Sequence, residues 1–160
     1  MGKIAIIMGS SSDLETMQET INLLKEFEVG FEVKILSAHR TPKELEKYIL
    51  AAPKKGVKVF IAAAGGAAAL AGVVAAHTTV PVIGVPMETK SFRGVDSFLS
   101  TLQMPAGIPV ACMSIGKAGA KNAALLALEI LALNDKILKN KLLQYRKSMK
   151  SKILAQKIKF

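Results

Sequence analysis

A three-layer α/β/α sandwich around a five-stranded parallel sheet is the fold this sequence predicts, and three observations predict it. Short apolar, β-branched runs alternate with segments of helical period along the whole chain. That alternation gives parallel strands joined by right-handed crossover helices. The 160 residues are 51% hydrophobic but only 5% aromatic, with no Trp, so the core is built from small aliphatic side chains. The length suits one domain with a real core. The expected strand order is 2-1-3-4-5, that of a flavodoxin-like sheet.

The predicted strands are Lys3–Met8, Phe31–Leu36, Val57–Ala63, Val82–Val85 and Val110–Ile115. Between the first two, Leu14, Met17, Ile21 and Leu24 mark one face of a helix. Leu45, Tyr48, Ile49 and Ala52 mark the next helix. Its start reads from Thr41 as cap, Pro42 at the first helical position and Glu44 three residues after the cap. Ala67–Ala76 reads as a small-residue helix lying close to the sheet, and Phe98–Leu102 as a short one. Ala118–Leu133 is long and almost wholly apolar, so it needs cover on most sides, which predicts an oligomer. Residues 1–135 form the α/β domain; residues 136–160 form a basic, amphipathic helical extension with Leu138, Leu142, Tyr145, Met149 and Ile153 on one stripe.

The net charge of +10 belongs to that extension alone. Residues 1–135 carry 13 basic and 12 acidic side chains, and residues 136–160 carry nine basic and none acidic. A stripe packed on the chain's own body or on a neighbouring subunit, with lysines in solvent, explains it without a nucleic-acid or membrane partner. The low aromatic content also argues against a base-stacking surface. No apolar tract is long enough for a membrane span and no signal-peptide pattern opens the chain, so the expectation is a cytoplasmic protein. The single cysteine, Cys112, excludes an internal disulfide and reads as a small core residue.

The chemistry is expected in loops that follow strands, the edge at which open α/β sheets bind ligands. After the first strand, Met8-Gly9-Ser10-Ser11-Ser12-Asp13 offers hydroxyls and free helix N–H groups, a phosphate or ribose cradle; simple helix capping is the plainer alternative. It is neither a P-loop nor a dinucleotide fingerprint. After the second, Ser37-Ala38-His39-Arg40 sets an imidazole beside a permanent cation. After the third, Gly65-Gly66 lets backbone approach a ligand closely. His77, the only other histidine, falls at a helix end, where a dipole partner is the simpler role. Two distant histidines without clustered carboxylates make a metal site unexpected.

Together these loops resemble one family. Met8–Asp13, Ser37–Pro42, Ala64–Ala68, Pro81–Pro86, Gly94–Ser97 and Gln103–Pro109 are similar to the N5-carboxyaminoimidazole ribonucleotide mutases of purine biosynthesis, also called the catalytic subunit of phosphoribosylaminoimidazole carboxylase. The similarity runs from about residue 3 to about residue 133. The resemblance implies a flavodoxin-like octamer that isomerises N5-carboxyaminoimidazole ribonucleotide to 4-carboxy-5-aminoimidazole ribonucleotide, without metal, ATP or organic cofactor. It implies His39 as general acid/base. It also implies substrate binding by Ser10, Ser12, Asp13, Ser37, Ala38, Arg40, Gly65, Gly66, Ala67 and Leu70, the double-glycine segment lining a small pocket that retains carbon dioxide.

One departure matters. The family pattern Gly-Gly-Ala-Ala-His-Leu-Pro-Gly stands here as Gly65-Gly66-Ala67-Ala68-Ala69-Leu70-Ala71-Gly72. Ala69 replaces an imidazole, which implies reduced turnover by a correctly folded, substrate-binding protein. Rival readings are the carboxylase branch, which adds carbon dioxide to the unmodified ribonucleotide, a non-catalytic nucleotide-binding module, and nucleic-acid binding through residues 136–160. The double-glycine segment and Pro81–Pro86 favour the mutase branch.

Overall fold

The computed structural model describes residues 2–158. Strands β1 (Lys3–Met8), β2 (Phe31–Ile35), β3 (Val57–Ala64), β4 (Val82–Pro86) and β5 (Ala111–Cys112) form one sheet in the order β2-β1-β3-β4-β5. Every pairing is parallel. Fold class and strand order are those the sequence predicts. The helices are α1 (Leu14–Glu26), α2 (Pro42–Ala51), α3 (Leu70–Ala76), α4 (Val95–Leu102), α5 (Gly116–Ala132) and α6 (Lys136–Leu154).

The central strands are covered on both faces, which is why they read as unbroken apolar runs. Ile4, Ile6, Met8, Ile61 and Val85 meet Met17 and Leu24 of α1 and Ala123 and Ala127 of α5 on one side. Ala5, Ile7, Phe60 and Ala62 meet Leu45 and Ile49 of α2 and Leu70 and Val74 of α3 on the other. Each of these large aliphatic side chains contributes about 1.5–3 kcal/mol by leaving water. Strand β3 changes face through one extra residue, Lys58, because Lys3 pairs with Val57 and Ile4 with Val59. The sheet order reverses between β1 and β3, opening a crevice at their C-terminal ends.

Helix α5 lies close to its neighbours because its inner face is Gly and Ala. Thr20 Oγ1 of α1 donates to the Ala120 carbonyl at 2.7 Å. A Cβ at Gly119 would stand 1.6 Å from the Ser114 carbonyl oxygen. Gly119→Ala therefore forces backbone movement at the start of α5 and is expected to destabilise the fold by about 3 kcal/mol, the upper range for overpacking. A chemical-denaturation midpoint measures this; an unchanged midpoint would show that α5 can slide outward freely.

Four expectations need correction. The fifth strand is far shorter than Val110–Ile115: β5 is an edge strand paired only with β4, and one further bond, Met113 N–H to Gly84 O at 2.9 Å, ends the ladder. Cys112 there is half-buried rather than core, and burial pushes its thiol up, away from a reactive thiolate. Helix α3 starts at Leu70, not Ala67, because Gly66 and Ala68 hold φ of +68° and +38°, outside the helical region. Thr41 caps α2 by position only: its hydroxyl turns back to Ser37, accepting its N–H at 2.9 Å and donating to its carbonyl at 3.2 Å.

The stripe on α6 is only half used. Leu138 and Leu142 are buried and Tyr145 packs edge-on against Phe27, with ring centroids 5.6 Å apart. Lys141 pairs with Glu28 and Arg146 with Glu129, exposed pairs that solvent screens, so they hold the helix only weakly. Beyond them the helix outruns the body, leaving Met149 42% and Ile153 65% exposed. Residues 159–160 of the extension lie outside the described residues. No helix among the described residues is long and apolar enough to cross a membrane.

Candidate functional site

A cavity of about 460 Å³ opens at the C-terminal ends of β1, β2, β3 and β4. The loop after β1 forms its floor. Ser10 is extended and caps the short turn Ser11–Asp13: its Oγ accepts the Ser12 N–H at 3.3 Å, and Asp13 Oδ2 accepts the Ser10 N–H at 3.1 Å. This is a reciprocal capping box. The capping and cradle readings of the sequence are thus one arrangement, in which capping fixes the groups that face the cavity.

Burial raises the Asp13 carboxyl above its ordinary value, against the lowering pull of the Ser10 N–H, the Ser12 hydroxyl, the Arg40 guanidinium and the Gly9 N–H. The sign follows from linkage. A raised carboxyl gives its full share of stability below its ordinary titration range and loses it as pH rises through the folded-state value. Ionised Asp13 is therefore held in the site at some cost to stability at neutral pH.

The loop after β2 supplies the imidazole and the cation. Arg40 Nη2 donates to the Gly9 carbonyl at 2.7 Å, while its Nε and its backbone N–H both reach Ser37 Oγ, at 3.3 and 3.2 Å. Arg40 thereby locks the β2 loop to the β1 loop and lays its charge across the cavity floor. His39, one residue earlier in the same turn, is exposed and stands on the cavity wall.

The loop after β3 makes the opposite wall. Gly65 packs against the end of β4, where a Cβ would meet Met87 Cβ at 3.4 Å, an ordinary van der Waals contact. Gly66 donates its N–H to the buried Ser97 Oγ at 3.0 Å and accepts from Ser100 Oγ at 3.4 Å. Helix α4 thus holds the double glycine from behind. The positive φ of Ala68 is local strain of the kind found at ligand sites.

Ten of the twelve residues singled out in the sequence line this cavity: Ser10, Ser12, Asp13, Ser37, Ala38, His39, Arg40, Gly65, Ala69 and Leu70. Gly66 and Ala67 do not; the first spends its peptide groups on α4, and the second sits exposed at the turn's tip. Five residues were missed: Gly9, Ala64, Ala68, Met87 and Glu88. Met87 and Glu88 lie one residue past the predicted strand Val82–Val85 and directly after β4, so the same strand-end rule could have found them. His77 lies elsewhere, as the C-cap of α3, its Nδ1 donating to the Val73 carbonyl at 2.8 Å and its Nε2 4.0 Å from Glu46.

Residues 3–152 match the family model described as AIR carboxylase. The chain belongs to the AIR carboxylase family. Among its relatives in that family, the N5-carboxyaminoimidazole ribonucleotide mutase of Pyrococcus abyssi is 55% identical over 94% of this chain and 85% of its own length. The mutase of Saccharolobus solfataricus is 48% identical over 99% of both chains. A crystal structure of Treponema denticola PurE superposes with a TM-score of 0.86, at 32% identity over 96% of this chain and 95% of that one. The AIR carboxylase match spans β1 through nearly all of α6, so every wall of the cavity lies within it.

Proposed function

We propose that this protein is an N5-carboxyaminoimidazole ribonucleotide mutase of purine biosynthesis, with His39 as the proton carrier. One observation carries the reading: the strand-end loops bring His39, Arg40 and Asp13 to a single cavity walled by Gly65 and Ala69. Relatives named for this activity, at about half identity over nearly the whole chain, support it.

Arg40 and the Ser10 hydroxyl, whose proton is not spent within the capped turn, hold the phosphate, and Asp13 accepts hydrogen bonds from the ribose. Protonated His39 gives its proton to the carbamate nitrogen as the N–C bond breaks, releasing carbon dioxide and the free amine. The ring carbon, enriched by the amine lone pair, then bonds to that carbon dioxide. Neutral His39 takes the displaced ring proton and returns to its starting state. Protons balance, and no electrons leave the substrate. Ser12, Ser37, Ala38, Gly65 and Leu70 enclose the ring and the gas. Gly66 acts behind this wall through its bonds to α4, and Ala67, exposed at the turn's tip, takes no part in it.

In this reading residues 1–135 are the catalytic domain and residues 136–160 an extension that takes part in assembly. The exposed Leu133 (81%) and Ile153 are subunit contacts of a cytoplasmic octamer, which light scattering tests directly. The function itself is tested by supplying the carbamate ribonucleotide without bicarbonate. Conversion to the 4-carboxy isomer is expected. Activity only with free bicarbonate and the unmodified ribonucleotide would assign the chain to the carboxylase chemistry instead. Tight binding without turnover would make it a binding module.

A further inference from the structure

We propose that Glu88 recognises the exocyclic amine of the substrate, accepting its hydrogen bond at the cavity wall; the inference rests on the mutase reading above. Four titratable side chains line the cavity: Asp13, His39, Arg40 and Glu88. Asp13 is committed to the Ser10 N–H, and Arg40 to Gly9 and Ser37. Glu88 makes no hydrogen bond or ion pair with any described residue. It is an uncommitted anionic acceptor on the wall of a site otherwise furnished with donors and hydroxyls.

The backbone that carries it is fixed from three sides. Met87 N–H bonds to the Ala64 carbonyl at 2.9 Å, continuing the β3 to β4 ladder. Thr89 Oγ1 donates to Asp96 Oδ1 at 2.8 Å and accepts the Gly94 N–H at 3.2 Å. Gly94, at φ +88°, approaches so closely that its Cβ would stand 3.2 Å from Glu88 Cα. Glu88 is exposed at the cavity wall on clamped backbone, so a ligand entering the site meets its carboxylate at a fixed place.

The substrate's chemistry selects that something. Its phosphate is an anion and goes to Arg40; its ribose hydroxyls have Asp13. What remains, once carbon dioxide has left, is the ring's amine, a donor that wants an acceptor. A carboxylate there does two things. It favours ribonucleotides that carry the amine, because only they offer this exposed carboxylate a donor in place of water. It also draws on the amine N–H, sending electron density toward the ring carbon that must capture carbon dioxide.

The test compares two ligands on two proteins by calorimetry with the full chain: 4-carboxy-5-aminoimidazole ribonucleotide and its analogue without the amine, on the unaltered protein and on Glu88→Ala. The unaltered protein is expected to prefer the aminated ligand by about 10- to 100-fold, the range for a hydrogen bond to a charged group. Glu88→Ala is expected to bind both alike, and Glu88→Gln, a neutral isosteric acceptor that serves if the alanine variant does not fold, to keep part of the preference. A purely structural role would weaken both ligands together and leave their ratio intact. An unchanged ratio in Glu88→Ala, or no preference in the unaltered protein, overturns the inference while leaving the mutase reading standing. Failure of the unaltered protein to bind either ribonucleotide overturns both.

Discussion

Replacing His39 with Asn is expected to lower turnover of the carbamate ribonucleotide by about 10²- to 10⁴-fold, the contribution of a positioned general acid/base, with little change in KM. His39 is the sole imidazole lining the cavity. The chain's other histidine caps α3 and lines a separate depression with Pro81 and Ile108, so it offers no substitute. The reason to expect a pure kcat effect is architectural. The loop after β2 is held by Arg40, Ser37 and Thr41, whose hydrogen bonds cross to Gly9 and close the turn. His39 makes no hydrogen bond to a described residue, so Asn takes away a proton carrier and leaves the cradle in place. Steady-state kinetics decides, with His77→Asn as the companion expected to keep full activity. A His39→Asn enzyme within tenfold of the starting rate would mean that solvent or Asp13 carries the proton.

The sheet was legible in this chain because its signals are local and redundant. Lys3–Met8 and Val82–Val85 read as strands because both faces are covered, and the strand-end loops announce themselves by glycine, serine and a charged pair. What stayed hidden depends on contacts distant in sequence. The edge position of β5 shortens it, and nothing within Val110–Ile115 shows that only β4 will pair with it. The late start of α3 reflects the positive φ of Ala68, a conformation alanine rarely takes and one imposed from outside the segment. Thr41 and Glu44 carry a capping-box pattern, yet the Thr41 hydroxyl serves Ser37, while the box itself forms at Ser10 and Asp13. The cavity shows a different division. The polar side chains of the named loops were found, whereas Gly9, Ala64 and Ala68, which offer no chemistry of their own, were passed over, and the segment after the fourth strand, Met87 and Glu88, was not read as a site loop although the strand-end rule covers it.

Restoring an imidazole at position 69 is expected to raise turnover, by about tenfold or more if the added group shares proton transfer. Ala69 is the residue before Leu70 at the N-terminus of α3, half-buried and on the cavity wall opposite the β2 loop. Its backbone is already helical, at φ −67° and ψ −14°, so Ala69→His needs no change of main-chain conformation. The cavity, about 460 Å³, has room for a ring. As it stands the wall from Ala64 to Leu70 carries no polar side chain at all. Carbon dioxide leaving the carbamate nitrogen therefore meets only apolar surface and backbone on that side, and one imidazole must both protonate the nitrogen and deprotonate the ring carbon. A second imidazole can take one of those steps. Because a neutral ring at a helix N-terminus is favoured over a charged one, the new histidine would act as a base, relieving His39 of the slower duty. Side-by-side kinetics of the two proteins measures this, and free imidazole added to the unaltered chain should reproduce part of the gain. If Ala69→His leaves a fast enzyme no faster, His39 alone suffices, and the apolar wall is the better container for carbon dioxide.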